Sequence, residues 1–115
     1  MLEKDAKIFV AGHHGLVGSA IWNNLLQRGY TNLTGRSHKE LDLLDGTAVK
    51  KFFDEEKPDA VVLAAAHVGG IMANLQYRAD FIYRNLQIQQ NVIGESFRHG
   101  VKKLLFLGST CIYPR

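Results

Sequence analysis

Apolar residues along this chain come in two spacings that alternate from one end to the other. Unbroken apolar runs, the kind a strand covered on both faces requires, fall at 8–11 (Ile8-Phe9-Val10-Ala11), 60–66 directly after Asp59, and 104–107. A shorter stretch at 32–35 reads as a further strand. Between them the apolar positions recur at helical spacing. The span 15–28 carries Val17, Ile21 and Leu25 on one face, 47–56 carries Val49, Phe52 and Phe53, and 79–99 carries Ile82, Leu86, Ile93 and Phe97. Gly29 and Gly100 are placed to stop the first and last helices, Asp45 to cap the start of the second, and Pro58 to mark its end.

Strand and helix in strict alternation argue an α/β fold, a Rossmann-like doubly wound parallel sheet with right-handed crossovers. The expected strand order is 3-2-1-4, with the site outside the strand C-termini where the order reverses. Four segments begin at those ends: 12–18, 35–38, 64–70 and 108–113.

The first of these is Gly12-His13-His14-Gly15-Leu16-Val17-Gly18. Glycines at 12, 15 and 18 let the backbone turn sharply from strand to helix. They also leave nothing bulky between a phosphate and the amides of the helix N-terminus, which points to a dinucleotide. A site that prefers NAD places a carboxylate about 20 residues past the glycines, on the ribose 2′-hydroxyl. This chain has Gly35-Arg36-Ser37-His38-Lys39 there, and its first carboxylate is Glu40. Arg36 suits a 2′-phosphate bidentately, and His14 adds a second contact, so NADP(H) is the expected cofactor. Asp42 is a candidate for the adenine amino group.

Composition narrows the class further. At 115 residues the chain is one domain at most, and 46% apolar with 22% charged residues is ordinary for a globular protein. The net charge of +3 is small and scattered, which argues against nucleic acid as a partner. Lone Cys111 excludes an internal disulfide and multi-cysteine zinc patterns, and His67 has no second ligand beside it, so no metal is expected. The N-terminus is charged, and no apolar run approaches the ~20 residues that span a bilayer. The expected setting is the cytoplasm, without a membrane partner.

Three motifs narrow the reading further: Ala11-Gly12-His13-His14-Gly15-Leu16-Val17-Gly18-Ser19-Ala20-Ile21, then Leu63-Ala64-Ala65-Ala66-His67-Val68-Gly69-Gly70-Ile71, then Lys103-Leu104-Leu105-Phe106-Leu107-Gly108-Ser109-Thr110-Cys111-Ile112-Tyr113-Pro114. With Ala79-Asp80-Phe81-Ile82-Tyr83 they resemble the GDP-L-fucose synthases, a family of extended short-chain dehydrogenase/reductases. The resemblance covers essentially the whole chain. It implies 3,5-epimerisation and NADPH-dependent 4-reduction of a GDP-sugar, GDP-4-keto-6-deoxy-D-mannose, to GDP-L-fucose. On this chain it makes Ser109 the catalytic serine at the C4 oxygen and Cys111 the group that exchanges one epimerisation proton. It assigns 12–18 to the pyrophosphate. Ala64, Ala65, Leu107, Gly108 and Ser109 fall along the nicotinamide ribose, and Thr110 is a further cofactor-binding residue. It also implies a homodimer built on a helical bundle, to which 79–99 contributes.

The chain departs from that pattern twice. His14 and His38 stand where relatives often carry arginine, so NADP affinity is expected to lean on Arg36 and to vary with pH. The Tyr-x-x-x-Lys pair of this enzyme class is absent: four positions after Tyr30, Tyr77 and Tyr83 stand Thr34, Phe81 and Gln87. The chain is therefore expected to be the N-terminal part of an NADP-binding domain, truncated after its fourth strand and inactive alone. The C-terminal strands and the substrate domain are expected to lie outside it. Two alternatives stay open: a dinucleotide-binding regulatory module without catalysis, and a related nucleotide-sugar epimerase or dehydratase that uses NAD.

Overall fold

A computed structural model describes residues 2–37, 39–64 and 75–106, the side chains of 75–82 excepted. The elements are β1 (Ile8–Ala11), α1 (Leu16–Gln27), β2 (Leu33–Thr34), α2 (Gly46–Glu56), β3 (Ala60–Leu63), α3 (Leu75–Arg98) and β4 (Lys103–Phe106). All strand pairings are parallel.

The strand order is β2-β1-β3-β4, which corrects the expected 3-2-1-4. β3 pairs along its full length with β1, from Ile8↔Ala60 to Ala11↔Leu63, on the side of β1 away from β2. The place beyond β2, where the expected order puts the third strand, holds no strand among the described residues. The chain that follows β2 in the sequence turns at Asp42. Asp42 accepts from the Leu44 N–H through its side chain and from the Asp45 N–H through its carbonyl. Leu41 and Leu43 are still buried in the core. The reversal of strand order survives the correction and lies between β1 and β3, so the strand ends beside it are where a ligand is expected.

β1 and β3 are buried at every position, which explains their unbroken apolar runs. Their side chains alternate between two cores. Ile8, Val10, Ala60 and Val62 pack with Ile21, Trp22 and Leu25 of α1. Phe9, Ala11, Val61 and Leu63 pack with Val49, Phe52 and Phe53 of α2 and with Ile88 and Val92 of α3. The Phe9 ring lies 4.4 Å from Phe52 and 6.0 Å from Phe53, centroid to centroid.

The caps follow the sequence. Asp45 accepts from the N–H groups of Thr47 and Ala48, as its N-cap position predicts. α1 and α3 each close with paired 5→2 and 6→1 bonds, Gly29→Leu26 with Tyr30→Leu25 and Gly100→Phe97 with Val101→Ser96.

Three expectations about burial are overturned. α3 does not turn the stripe of Leu86 and Phe97 inward: both are exposed, whereas Asn85, Ile88, Val92, Glu95 and Ser96 are buried. The helix carries two stripes, and the more polar one faces α2 and the sheet. Ile93 is partly buried against that core, and Ile82 lies outside the described side chains. β4, expected to be covered, is exposed at all four positions because it forms the sheet edge among the described residues. Val17 is exposed as well, in the first turn of α1.

His99 joins α2 to α3. Its Nε2 lies 2.7 Å from Asp54 Oδ1, its Nδ1 lies 2.9 Å from the Glu95 carbonyl, and its ring faces Phe53. Both partners are acceptors, so only the imidazolium, with a proton on each nitrogen, makes both bonds. These contacts, Asp54 first, raise the His99 pKa above its ordinary value. Partial burial of the ring opposes that rise; the neighbouring cations Lys50 on α2 and Arg98 on α3 are engaged with Asp54 and Glu95 respectively. A pKa raised by folding contributes stability fully below the unfolded value of about 6.5 and loses it as pH climbs through the folded value. Denaturant melts from pH 5.5 to 8.5 should show the His99 form losing stability across the upper part of that window relative to His99→Gln. An unchanging difference between the two would remove His99 from the account.

Candidate cofactor site

The glycine turn is built where β1 meets α1. Gly12 has φ of 86°, a left-handed conformation, and its carbonyl accepts the Gly15 N–H at 3.0 Å. Gly18, on the first turn of α1, sits directly over that carbonyl. A Cβ on Gly18 would lie 1.9 Å from the Gly12 oxygen, so only glycine fits. Gly15 is the N-cap of α1; no side chain caps it, and the first turn holds no carboxylate. The helix therefore presents unneutralised N–H groups and the positive end of its dipole beside Leu16, Val17 and Gly18, which suits a phosphate group.

Neighbouring strand ends converge on this turn. The Ala64 N–H donates to the Ala11 carbonyl at 2.9 Å, which fixes the start of the segment after β3 beside the end of β1. On the other side, the His13 ring lies against the backbone of Gly35 so closely that a Cβ there would meet His13 Cγ and Nδ1 at 2.6 Å. His13 also stacks on His14, with ring centroids 3.9 Å apart, and lies 5.3 Å from Trp22. Its Nδ1 is enclosed without a hydrogen-bond partner among the described residues, an acceptor or donor left for a ligand. Burial, then the neighbouring His14, lower its pKa, so His13 is neutral at pH 7.

The segment after β2 is ordered by its own side chains. Ser37 and Glu40 cap each other: the Ser37 N–H donates to Glu40 Oε1 at 2.8 Å and the Glu40 N–H meets Ser37 Oγ at 3.3 Å. These bonds hold the Glu40 carboxyl below its usual range. They also occupy the first carboxylate that a ribose 2′-hydroxyl would otherwise meet. Arg36 donates to the Gly35 carbonyl at 2.9 Å, pairs with Glu56 at 3.4 Å and lies over the Phe52 ring at 5.2 Å.

Of the residues singled out from sequence, Gly12, His13, His14, Gly15, Leu16, Val17, Gly18, Arg36 and Ala64 are placed at this end of the sheet. His38, Ala65, Leu107, Gly108, Ser109, Thr110 and Cys111 lie outside the described residues. Sequence reasoning assigned no part to Trp22, to the contact of His13 with Gly35, or to Glu56. A glycine directly before Arg36 was the available signal for the second of these.

Comparison with known proteins decides the family. The family model described as NAD dependent epimerase/dehydratase family matches residues 8–115. The chain belongs to that family. A curated relative, putative GDP-L-fucose synthase 2 of Arabidopsis thaliana, is 65% identical over 115 residues, which is 100% of this chain and 35% of the relative. The chain thus spans about a third of the length of the curated relatives it matches. Among solved structures, a GDP-mannoheptose C4 reductase from Campylobacter jejuni with NADP bound is 50% identical with a TM-score of 0.87, over 94% of this chain and 34% of that one. A GDP-L-fucose synthetase from Naegleria fowleri bound to NADP is 29% identical with a TM-score of 0.80, over 99% and 34%. This epimerase/dehydratase chain has no metal-holding cluster of three His, Cys, Asp or Glu side chains among the described residues. No described helix is long and apolar enough to cross a membrane.

Proposed function

We propose that this chain is the N-terminal part of the NADP-binding domain of a GDP-L-fucose synthase. The whole protein would epimerise GDP-4-keto-6-deoxy-D-mannose at C3 and C5 and reduce it at C4. The observation that carries this reading is 65% identity across the whole chain to a curated protein named for that activity. The site geometry supports it. The uncapped N-terminus of α1 receives the pyrophosphate, and the neutral His13 ring packs the turn against the segment that holds Arg36. Arg36 faces the 2′-phosphate, and Glu40, the first carboxylate after β2 in the sequence, is already engaged with Ser37.

NADPH, when bound, supplies the hydride for C4. Ser109 holds the C4 oxygen by a hydrogen bond from its hydroxyl, and the Cys111 thiol exchanges a proton at one carbon beside the ketone. Such a ketone makes the flanking C–H groups acidic enough for side-chain proton transfer. The enzyme works in the cytoplasm. The exposed stripe of Tyr83, Leu86 and Phe97 on α3 is the surface on which two copies pair.

A second reading, a GDP-sugar C4 reductase without epimerisation, is favoured by the 50% identity to the C. jejuni reductase. One experiment separates them. The whole protein is given NADPH and GDP-4-keto-6-deoxy-D-mannose in deuterium oxide, and the product is read by NMR. GDP-L-fucose with deuterium at C3 and C5 is the expected result. A reduced sugar with protium at both carbons establishes the second reading, and no NADPH consumption sinks both.

A further inference from the structure

Arg36 is held by more than its own loop. Its Nη1 donates to the Gly35 carbonyl at 2.9 Å, its Nη2 lies 3.4 Å from Glu56 Oε2, and its guanidinium carbon is 5.2 Å from the centre of the Phe52 ring. Phe52 is a buried member of the core, so this platform does not shift. Glu56, at the end of α2, is shared: its other oxygen lies 2.6 Å from Lys7 Nζ, just before β1. The three side chains are each about a third exposed or less.

A guanidinium recognises a phosphate through a planar fork, and that fork is effective only when its plane is set before the ligand arrives. The Phe52 ring sets the plane and Glu56 sets the edge. Lys7 keeps the carboxylate from closing on Arg36 with both oxygens, so the guanidinium is steered without being neutralised. Its charge is felt at both His13 and Glu40, the neighbours it has in the glycine turn and in its own segment.

We infer that Glu56 is a positioning residue for the cofactor 2′-phosphate, acting through Arg36 and shared with Lys7, and that it thereby contributes to the preference for NADPH over NADH. This rests on the NADPH reading above. Glu56→Gln keeps the side chain's shape and removes its charge. In the whole protein, dissociation constants for NADPH and NADH are measured by quenching of protein fluorescence. The expected result is that Glu56→Gln weakens NADPH about fivefold, the reach of a well-placed, partly exposed ion pair, and leaves NADH unchanged. In an Arg36→Ala background the same substitution should change neither.

Equal weakening of both cofactors, tighter NADPH binding, or an undiminished effect without Arg36 would each overturn the inference. Should Glu56→Gln fold poorly, Lys7→Met serves in its place. It releases both carboxylate oxygens to Arg36 and should weaken NADPH alone; no change in the ratio of the two constants counts against the inference. A wild-type protein that binds NADPH no more tightly than NADH defeats the underlying reading. Discrimination that persists intact in Glu56→Gln defeats only the part assigned to Glu56.

Discussion

Alanine at position 18 is expected to destabilise the chain by about 2–4 kcal/mol and to remove cofactor binding. Two effects oppose each other there. Inside a helix, Gly→Ala ordinarily gains about 1 kcal/mol, because glycine loses the most conformational freedom on folding. Against that stands a methyl group 1.9 Å from a backbone oxygen and 2.7 Å from the Gly12 carbonyl carbon. Backbone atoms cannot step aside as a flexible side chain does, so the clash wins and α1 must lift away from the turn. Gly15→Ala is the matched control: its φ is −72° and its Cβ would meet the Gly12 oxygen at 3.4 Å, an ordinary contact. Denaturant unfolding and NADPH titration of both variants read the difference. A Gly18→Ala protein as stable as the wild type would mean that the helix does not approach the turn as described.

Phe53→Ala should cost about 3–5 kcal/mol, the largest single loss expected in the core. The ring is fully buried, meets Phe9 edge-on at 6.0 Å and Phe52 at 5.8 Å, and closes the space between α2 and the sheet. It also lies 5.6 Å from the His99 ring. The cavity would therefore loosen the side against which the imidazolium is held. Unfolding midpoints should fall sharply, and the dependence of stability on pH above 6.5 should shrink with them. A loss under about 1 kcal/mol would show that α2 collapses onto the sheet and refills the space.

How much of this was legible in sequence depends on how many chain segments each feature needs. β1 and β3 were legible because each is buried on both faces by its own residues, and the glycine turn because a single local segment makes it. The strand order was misread because an apolar run does not say on which side of β1 it will pair. The third strand pairs with β1 on the side away from β2. α3 was misread because it carries two stripes, and the buried one includes Asn85, Glu95 and Ser96, which spacing rules count as solvent-facing. Arg36 was found from its distance to the glycines. Its seat was not, since Phe52, Glu56 and Lys7 come from α2 and the start of β1 and meet it only in three dimensions.

β2 is very short: it pairs with β1 only at Leu33 and Thr34, against Ile8 and Phe9. The chain that follows is thus released from the sheet two residues before β1 ends. Gly35, Arg36, Ser37 and Glu40 are held by side chains and by one another rather than by ladder bonds. Substitutions in this segment do not have to preserve strand register. Descendants of such a protein can vary Arg36, Ser37 and Glu40 by small steps, while the two cores that keep the molecule folded stay as they are.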